Sequence, residues 1–403
     1  MEKILYITVQ APYGRGEPFL IEEMLSIKDF GYSLLIVPVR PPNEIFHIKS
    51  KKLLSNTIKL PLINISMILK LFIFLFTKPI VFYKLLHSIY KNSPNIKTLC
   101  KNLIILPKGI FLSYFIKKQN ITHIHAHWSS TPSSFAYIIS QINKIEWSFT
   151  AHSGAILRNN MLKEKVRTAK FVRVISKNRY NDILNIVGEN YKHKIFISHL
   201  GVNVPKNRLI KKDLSNPIIL ASIGSLYNLK GHKYLIKACY LLKKQNINFN
   251  CLIIGKGQDE SNLVKMVNNF KLQNNISFLG ELPHENVLEM MLKKEINILI
   301  HPSIIVKSKN GEVREEGIPV SLIEAMGNCI PVIATDTGSI PELVRGNGLL
   351  VPEKDSLAIV DSVKYIYYNY KNMRKVINRA YNIVLNDFNI KKSTKNLIKL
   401  IEN

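Results

Sequence analysis

Short apolar runs rich in β-branched residues recur along the chain, and amphipathic stretches separate most of them. In the first half the runs are "KILYITVQ", "YSLLIVPV", "ITHIHAHW", "WSFTAH" and "FVRVIS", and "KIFISHLGVNVP" closes the series. In the second half they are "PIILASIGSL", "FNCLIIGKG", "NISFLGEL", "INILIHPS" and "CIPVIATD". "FLIEEMLSIKDFG", between the first two runs, has the period of a helix. Strands that are apolar throughout, rather than at every second position, are covered on both faces. Alternating with helices, they predict an α/β fold of two doubly wound, Rossmann-like domains facing a cleft. In such sheets ligands bind beyond the carboxyl ends of the strands.

A chain of 403 residues suits two or three domains. The expected divisions are an N-terminal domain over 1–204, a C-terminal domain over 205–375, and a helical segment over 376–403 that crosses back to the first domain. The hinge is expected within 201–217, at the change from one series of runs to the next.

Charge changes the picture of the first domain. The net formal charge is +28, and residues 45–145 hold 14 lysines and no acidic residue. Inside this segment "LPLINISMILKLFIFLFTKPIVFYKLL" is apolar, but Lys70, Lys78 and Lys84 interrupt it. That stretch has no 18-residue uncharged window, which disfavours a transmembrane helix there. A basic, apolar, helical segment over about 45–120 fits a surface that rests on anionic lipid. A buried helix pair whose lysines snorkel to water is the plainer alternative. No nucleic-acid motif accompanies the charge, so nucleic acid is not an expected partner. Cys100, Cys239, Cys251 and Cys329 form no C-x-x-C pair and read as reduced thiols of a cytoplasmic protein. "MEKILYITVQ" reads as a first strand rather than an export signal.

Candidate chemistry centres on "REEGIPVSLIEAMGN", where Glu316 and Glu324 stand eight positions apart. Gly317 frees the backbone, and Pro319 suits the first turn of a helix. Residues 320–326 then form a short helix that Gly327 and Asn328 stop. Glu316 lies in the loop before it. Glu324 lies inside it, among apolar neighbours, where a carboxylate needs donors. The first N–H groups of the helix attract anions. Together these describe a ligand with both hydroxyls and phosphate. A surface helix with one solvated Glu is the bland alternative. His123, His125 and His127 share one strand face, but no carboxylate or cysteine stands nearby at ligand spacing, so no metal site is expected. "GKG" at 255–257 lacks the G-x-G-x-x-G spacing and does not indicate NAD. No cofactor is expected. With no D-x-D sequence, a divalent ion carrying a diphosphate is not indicated.

"GSLYNLKGHKYLIKA", "LIIGKGQDESNL", "ISFLGEL", "ILIHPS", "GEVREEGIPVSLIEAMGNCIPVIATDTGSIPELV" and "NGLLVPEKD" follow in that order. This series resembles the second domain of retaining nucleotide-sugar glycosyltransferases, the GT-B group of family 4 (glycosyl transferases group 1). "APYGRGEPFLIEEM", "HIHAHW", "FTAHSGAIL", "RVISKNRYNDI" and "HLGVNV" resemble more loosely the members that build bacterial exopolysaccharide, the colanic-acid-type branch. The resemblance implies a metal-independent, hexosyltransferase-type enzyme. Its donor would be a nucleotide-diphosphate sugar and its acceptor a lipid-linked saccharide. It would sit peripherally on the inner face of a bacterial plasma membrane, in exopolysaccharide, capsule or lipopolysaccharide assembly.

The resemblance also implies roles. Glu316 would hold donor-sugar hydroxyls on the reacting face, and His152 would lie near the donor sugar and the acceptor. Gly317, Ile318, Pro319 and Val320 would turn backbone N–H groups to the sugar and diphosphate. Glu324 would accept from the ribose, and Lys230 would neutralise the leaving diphosphate. Ser225 and Leu279 would line the donor site. Gly14 and Gly16 would let a first loop approach the substrates. Three positions depart from the pattern. Ser225 stands where members carry arginine, with Arg314, Lys233 and Arg345 as candidate substitutes. Glu17 stands where many have a small residue, and Asn203 where the usual turn has aspartate. Two other readings stay open: a non-catalytic scaffold of a polysaccharide complex, and a nucleotide-sugar epimerase of the same architecture. Binding without turnover would mark the first. A changed free nucleotide sugar would mark the second.

Overall fold

The computed structural model describes residues 2–206, 208–307 and 313–403. It divides into two compact units, Met1–His199 with Ser393–Asn403, and Leu200–Lys392.

The first unit is built on six parallel strands: β1 (Lys3–Thr8), β2 (Ser33–Pro38), β3 (His123–His127), β4 (Trp147–Ala151), β5 (Phe171–Val174) and β6 (Ile195–Ile197). Their order is β2-β1-β3-β4-β5-β6, so the direction of winding reverses between β1 and β3. Strands β3, β4 and β5 are buried at every position, and their polar members, His123, His125, His127, Ser148, Thr150 and Arg173, are buried with the apolar ones. Between β2 and β3 the chain inserts helices Ile65–Thr77, Pro79–Asn92, Ile96–Ile104 and Leu106–Ile116. Lys108, fully buried in the last of these, donates to the carbonyl oxygens of Pro38 (3.1 Å) and Val39 (2.8 Å). That ties the insertion to the end of β2, and burial lowers the lysine's pKa to about 8. Among the described residues, Ile96–Ile116 is long and apolar enough to cross a membrane, yet half of it is buried within the unit. Helices Ile65–Thr77 and Pro79–Asn92 meet at a bend of 111°.

A buried ion pair ties the first unit together. Glu23, in helix Pro18–Asp29, accepts from Tyr6 Oη at 2.5 Å and from Arg173 Nη1 at 2.6 Å. Arg173 also donates to Ser198 O, His199 O and Ser393 Oγ, so it reaches the closing helix Ile390–Glu402. Burial pushes the Glu23 pKa up. Arg173 and His127 more than offset this and hold it well below the ordinary carboxylate value.

The second unit has its own parallel sheet: β7 (Ile218–Ile223), β8 (Phe249–Ile254), β9 (Ile276–Gly280) and β10 (Ile298–His301). A small antiparallel pair follows, β11 (Val306–Lys307) and β12 (Val313–Arg314), before β13 (Val332–Thr335) and β14 (Leu349–Val351) complete the sheet. The order is β14-β13-β10-β7-β8-β9, a doubly wound sheet that reverses between β7 and β10. The α/β reading of the sequence holds in both units. Strand β14 and the β11–β12 pair, too short for a periodic signal, were not anticipated. The units divide at Leu200 and Ser393 rather than at 205 and 376. Helix Tyr370–Asp387 remains in the second unit because Met373, Ile377 and Tyr381 pack in its core. The chain enters and leaves this unit side by side: Val202 N donates to Phe388 O and Ile390 N to Val202 O.

Replacing Arg173 with Met leaves Glu23 charged and buried. This should cost about 3–5 kcal/mol in urea unfolding. Adding Glu23→Gln in the same chain should recover much of that loss. A single variant as stable as the parent would contradict the role given to the pair.

Candidate functional site

In the second unit the chemistry gathers where the sheet reverses. The loops after β7, β8 and β10 press together there, and glycines permit the approach. A Cβ on Gly255 (φ +143°) would lie 2.0 Å from Gly224 O, and one on Gly231 (φ +66°) would lie 1.9 Å from Pro302 O. Lys230 is held between them on the turn Asn228–Lys230, just before helix His232–Lys244. Its Nζ sits 2.6 Å from Glu316 Oε1, close enough for an ion pair though outside hydrogen-bond geometry. The Glu316 carbonyl accepts from Ser339 N at 3.1 Å in the turn after β13, which fixes the loop. Pro319 then begins helix Val320–Gly327, as its residues predict. The first N–H groups of that helix have no intrahelical acceptor, an arrangement suited to an anion.

Other expected residues lie around this point or away from it. Glu324 is buried in the helix, and its Oε1 is 2.5 Å from His284 Nε2. His284 begins helix His284–Leu292 and carried no sequence signal beyond the preceding Pro283. Gly317 is half-buried in the loop, Ile318 and Pro319 are buried, and Val320 is half-buried. Ser225 is exposed in the loop after β7. Leu279 is also exposed, on the edge strand β9, two strands from the reversal. Of the candidate substitutes for the missing arginine, Arg345 pairs with Asp336 at 3.2 Å and Lys233 lies 5.1 Å from the ring of Tyr234. Arg314 is exposed on β12. Among the described residues, three buried polar atoms near the ends of β10 and helix His232–Lys244 have no hydrogen-bond partner: His232 Nδ1, His301 Nε2 and Ser303 Oγ. Unpaired buried polar atoms are costly, and they suit a site that takes a polar ligand.

In the first unit a second polar cluster stands beyond β1, β3 and β4. Glu17 organises it. Its carboxylate accepts from Gln10 N (2.7 Å), Ala11 N (2.8 Å) and the indole Nε1 of Trp128 (2.6 Å). The departure from a small residue at 17 is therefore a loop anchor. Gly14 has φ +70° and its N donates to Glu44 O, while its Cβ position is filled by the side chain of Gln10. Gly16 has open space at its Cβ and no left-handed backbone, so packing does not require glycine there. His152 begins the short helix Ser153–Leu157 after β4, with its Nε2 2.5 Å from His127 Nε2. Phe19 and Trp128 flank the two rings. His127 was not among the expected site residues. Its signal was position, as the last of three alternating histidines at the carboxyl end of a strand.

Burial lowers the pKa of His152 well below that of a free imidazole, and the neighbouring His127 and Arg173 add to the effect. His127 is lowered as well, by burial, with Glu23 acting partly against it. Both rings are therefore neutral near pH 7. Glu23, His125 and His127 offer ligand atoms within 4.8 Å of one another. Arg173 already supplies the cation that neutralises Glu23, and His125 is bonded to Ser148 and Thr150. The trio is better described as part of an ion-pair network.

The doubly wound sheets define the class. The crystal structure of Anabaena HepE in complex with UDP-glucose matches with a TM-score of 0.72 over 100% of both chains, at 16% identity, and the fold is GT-B. Residues 205–383 match the family model described as Glycosyl transferases group 1. Among relatives, a protein named as a colanic acid biosynthesis glycosyltransferase, WcaL, of Salmonella typhimurium is 32% identical over 52% of this chain and 51% of its own. The amylovoran biosynthesis glycosyltransferase AmsK of Erwinia amylovora is 27% identical over 62% of each. The chain thus spans about half the length of the first relative and 62% of the second.

Nitrogen-15 NMR should find His127 and His152 predominantly neutral at about pH 6.5, where a free imidazole is half protonated, because burial lowers each pKa. An imidazolium signal already growing in near pH 7 would show that burial does not govern the pair.

Proposed function

We propose that the protein transfers a sugar, with retained configuration, from a nucleotide-diphosphate sugar to a lipid-linked saccharide in the assembly of a bacterial surface polysaccharide. The observation that carries this reading is Lys230 poised on Glu316 where the sheet of the group 1 domain reverses. The names of the WcaL and AmsK relatives support the polysaccharide, and the UDP-glucose bound by HepE supports the donor class.

In this scheme the diphosphate takes the place beside Lys230 and the start of helix Val320–Gly327. Glu316 accepts from hydroxyls of the sugar, and Glu324, with His284, accepts from the ribose. As the bond from the anomeric carbon to the phosphate oxygen breaks, negative charge grows on the departing diphosphate. Lys230 and the helix N-terminus stabilise that charge. The acceptor oxygen bonds to the same face of the anomeric carbon, and its proton passes to the leaving phosphate. No second group has to invert the centre, so the configuration is kept. His152, neutral through burial, acts by hydrogen bonding rather than by charge.

Lys230→Ala should weaken binding of UDP about 10–100-fold in calorimetry, the loss of one charge-assisted contact. Glu316→Ala should keep the parent melting temperature while transfer of labelled sugar into extracted lipid falls by about 10²-fold or more. Proton NMR of the product should show the donor's anomeric configuration. Full activity in Glu316→Ala, or an inverted product, would overturn the reading. A changed free nucleotide sugar formed without acceptor would replace it with epimerisation.

A further inference from the structure

Helix Ile65–Thr77 in the insertion of the first unit is apolar on both sides. Its inner side packs Met67 and Phe74, both fully buried. Its outer side carries Ile65, Ile68, Leu69, Phe72, Ile73 and Phe76, all exposed, at intervals that keep them on one stripe. Ile65 is 77% exposed and Phe76 79%. A surface helix facing water carries polar residues in these places, and a continuous apolar patch of this kind marks an interaction site. The next helix, Pro79–Asn92, continues the surface with a different composition. Ile80, Tyr83 and Tyr90 are exposed on it, beside Lys84, His87 and Lys91. Tyrosine and lysine are the residues that favour the boundary between hydrocarbon and headgroups.

We propose that this outer face docks on an anionic lipid bilayer, with the stripe of Ile65–Thr77 in the acyl boundary and the tyrosines and lysines of Pro79–Asn92 at the headgroups. Three observations favour lipid over a protein partner. The segment 45–145 holds 14 lysines and no acidic residue, which complements an anionic surface. The apolar stripe lies beside an aromatic and basic band, as in helices that rest in an interface. The first helix has 13 residues, short of the roughly 20 needed to span, and the 111° bend sets the second helix across it. The pair is built to lie in a membrane surface rather than to cross it. This docking does not depend on sugar transfer, because none of its residues belongs to the candidate sites.

The test is sedimentation of the full chain with vesicles. One set is phosphatidylcholine alone, and the other contains about one third phosphatidylglycerol. The parent should sediment with the anionic vesicles and release as salt is raised. Phe72→Gln with Phe76→Gln lies on the exposed face. It should weaken binding at least tenfold while leaving the melting temperature unchanged. Lys84→Gln with Lys91→Gln should reduce the preference for anionic lipid. The proposal is overturned if the parent stays in solution with anionic vesicles. It is also overturned if the double phenylalanine variant binds as tightly as the parent. A concentration-dependent dimer of the parent that this variant makes monomeric, without vesicle binding, would assign the face to a second copy of the chain instead.

Discussion

The first unit depends on how one carboxylate is kept charged inside it. Glu23 is buried, so its charge must be met by other groups or the unit does not close. Arg173 meets it, and the three other places that the guanidinium reaches are distributed over the chain: Ser198, His199 and Ser393. One pair therefore fixes the helix after β1, strand β5 and the returning C-terminal helix together. The same compensation sets the chemistry nearby. His127 stands within 3.8 Å of Glu23 and opposite His152, so the electrostatics of the candidate site extend from the ion pair that holds the fold.

The second unit solves a different problem, bringing loop backbones close to one another without side chains in the way. The loops after β7, β8 and β10 approach so closely that Gly231 and Gly255 admit no Cβ. The turn after β13 likewise presses on Glu316, where a Cβ at Gly338 would lie 2.2 Å from its carbonyl oxygen. The result is a narrow polar floor carrying one lysine, one carboxylate and the start of a helix. A charge facing its counter-charge in water gains little, because water screens the pair. Held on a rigid loop among buried groups, the same charge counts for more.

The insertion shows the opposite economy. Lys108 takes its charge into the interior to anchor the segment on carbonyl groups, while large apolar side chains remain outside. Under the proposed docking, that outward apolar face would meet lipid rather than water.

Much of this was legible along the chain. Uninterrupted apolar runs marked the long strands, because burial on both faces leaves no polar alternation. Local rules placed the helix at 320, with Glu316 before it and Glu324 within it, since Pro319 and the Gly327–Asn328 stop act over a few residues. The acid-free segment was visible as composition alone. What the sequence did not contain is which distant groups meet. Lys230 reaches Glu316 because β7 and β10 are neighbours, and Glu324 reaches His284 through helix packing. Glu17 proved a loop anchor only once Trp128 was beside it, and His127 joined His152 only across paired strands. Gly16, by contrast, turned out to have room for a side chain. The helix at 370–387 stayed with the second unit for its core contacts. Periodicity and capping are written in neighbouring residues and can be read in order. Strand order and the pairing of buried charges are settled only when the chain closes on itself.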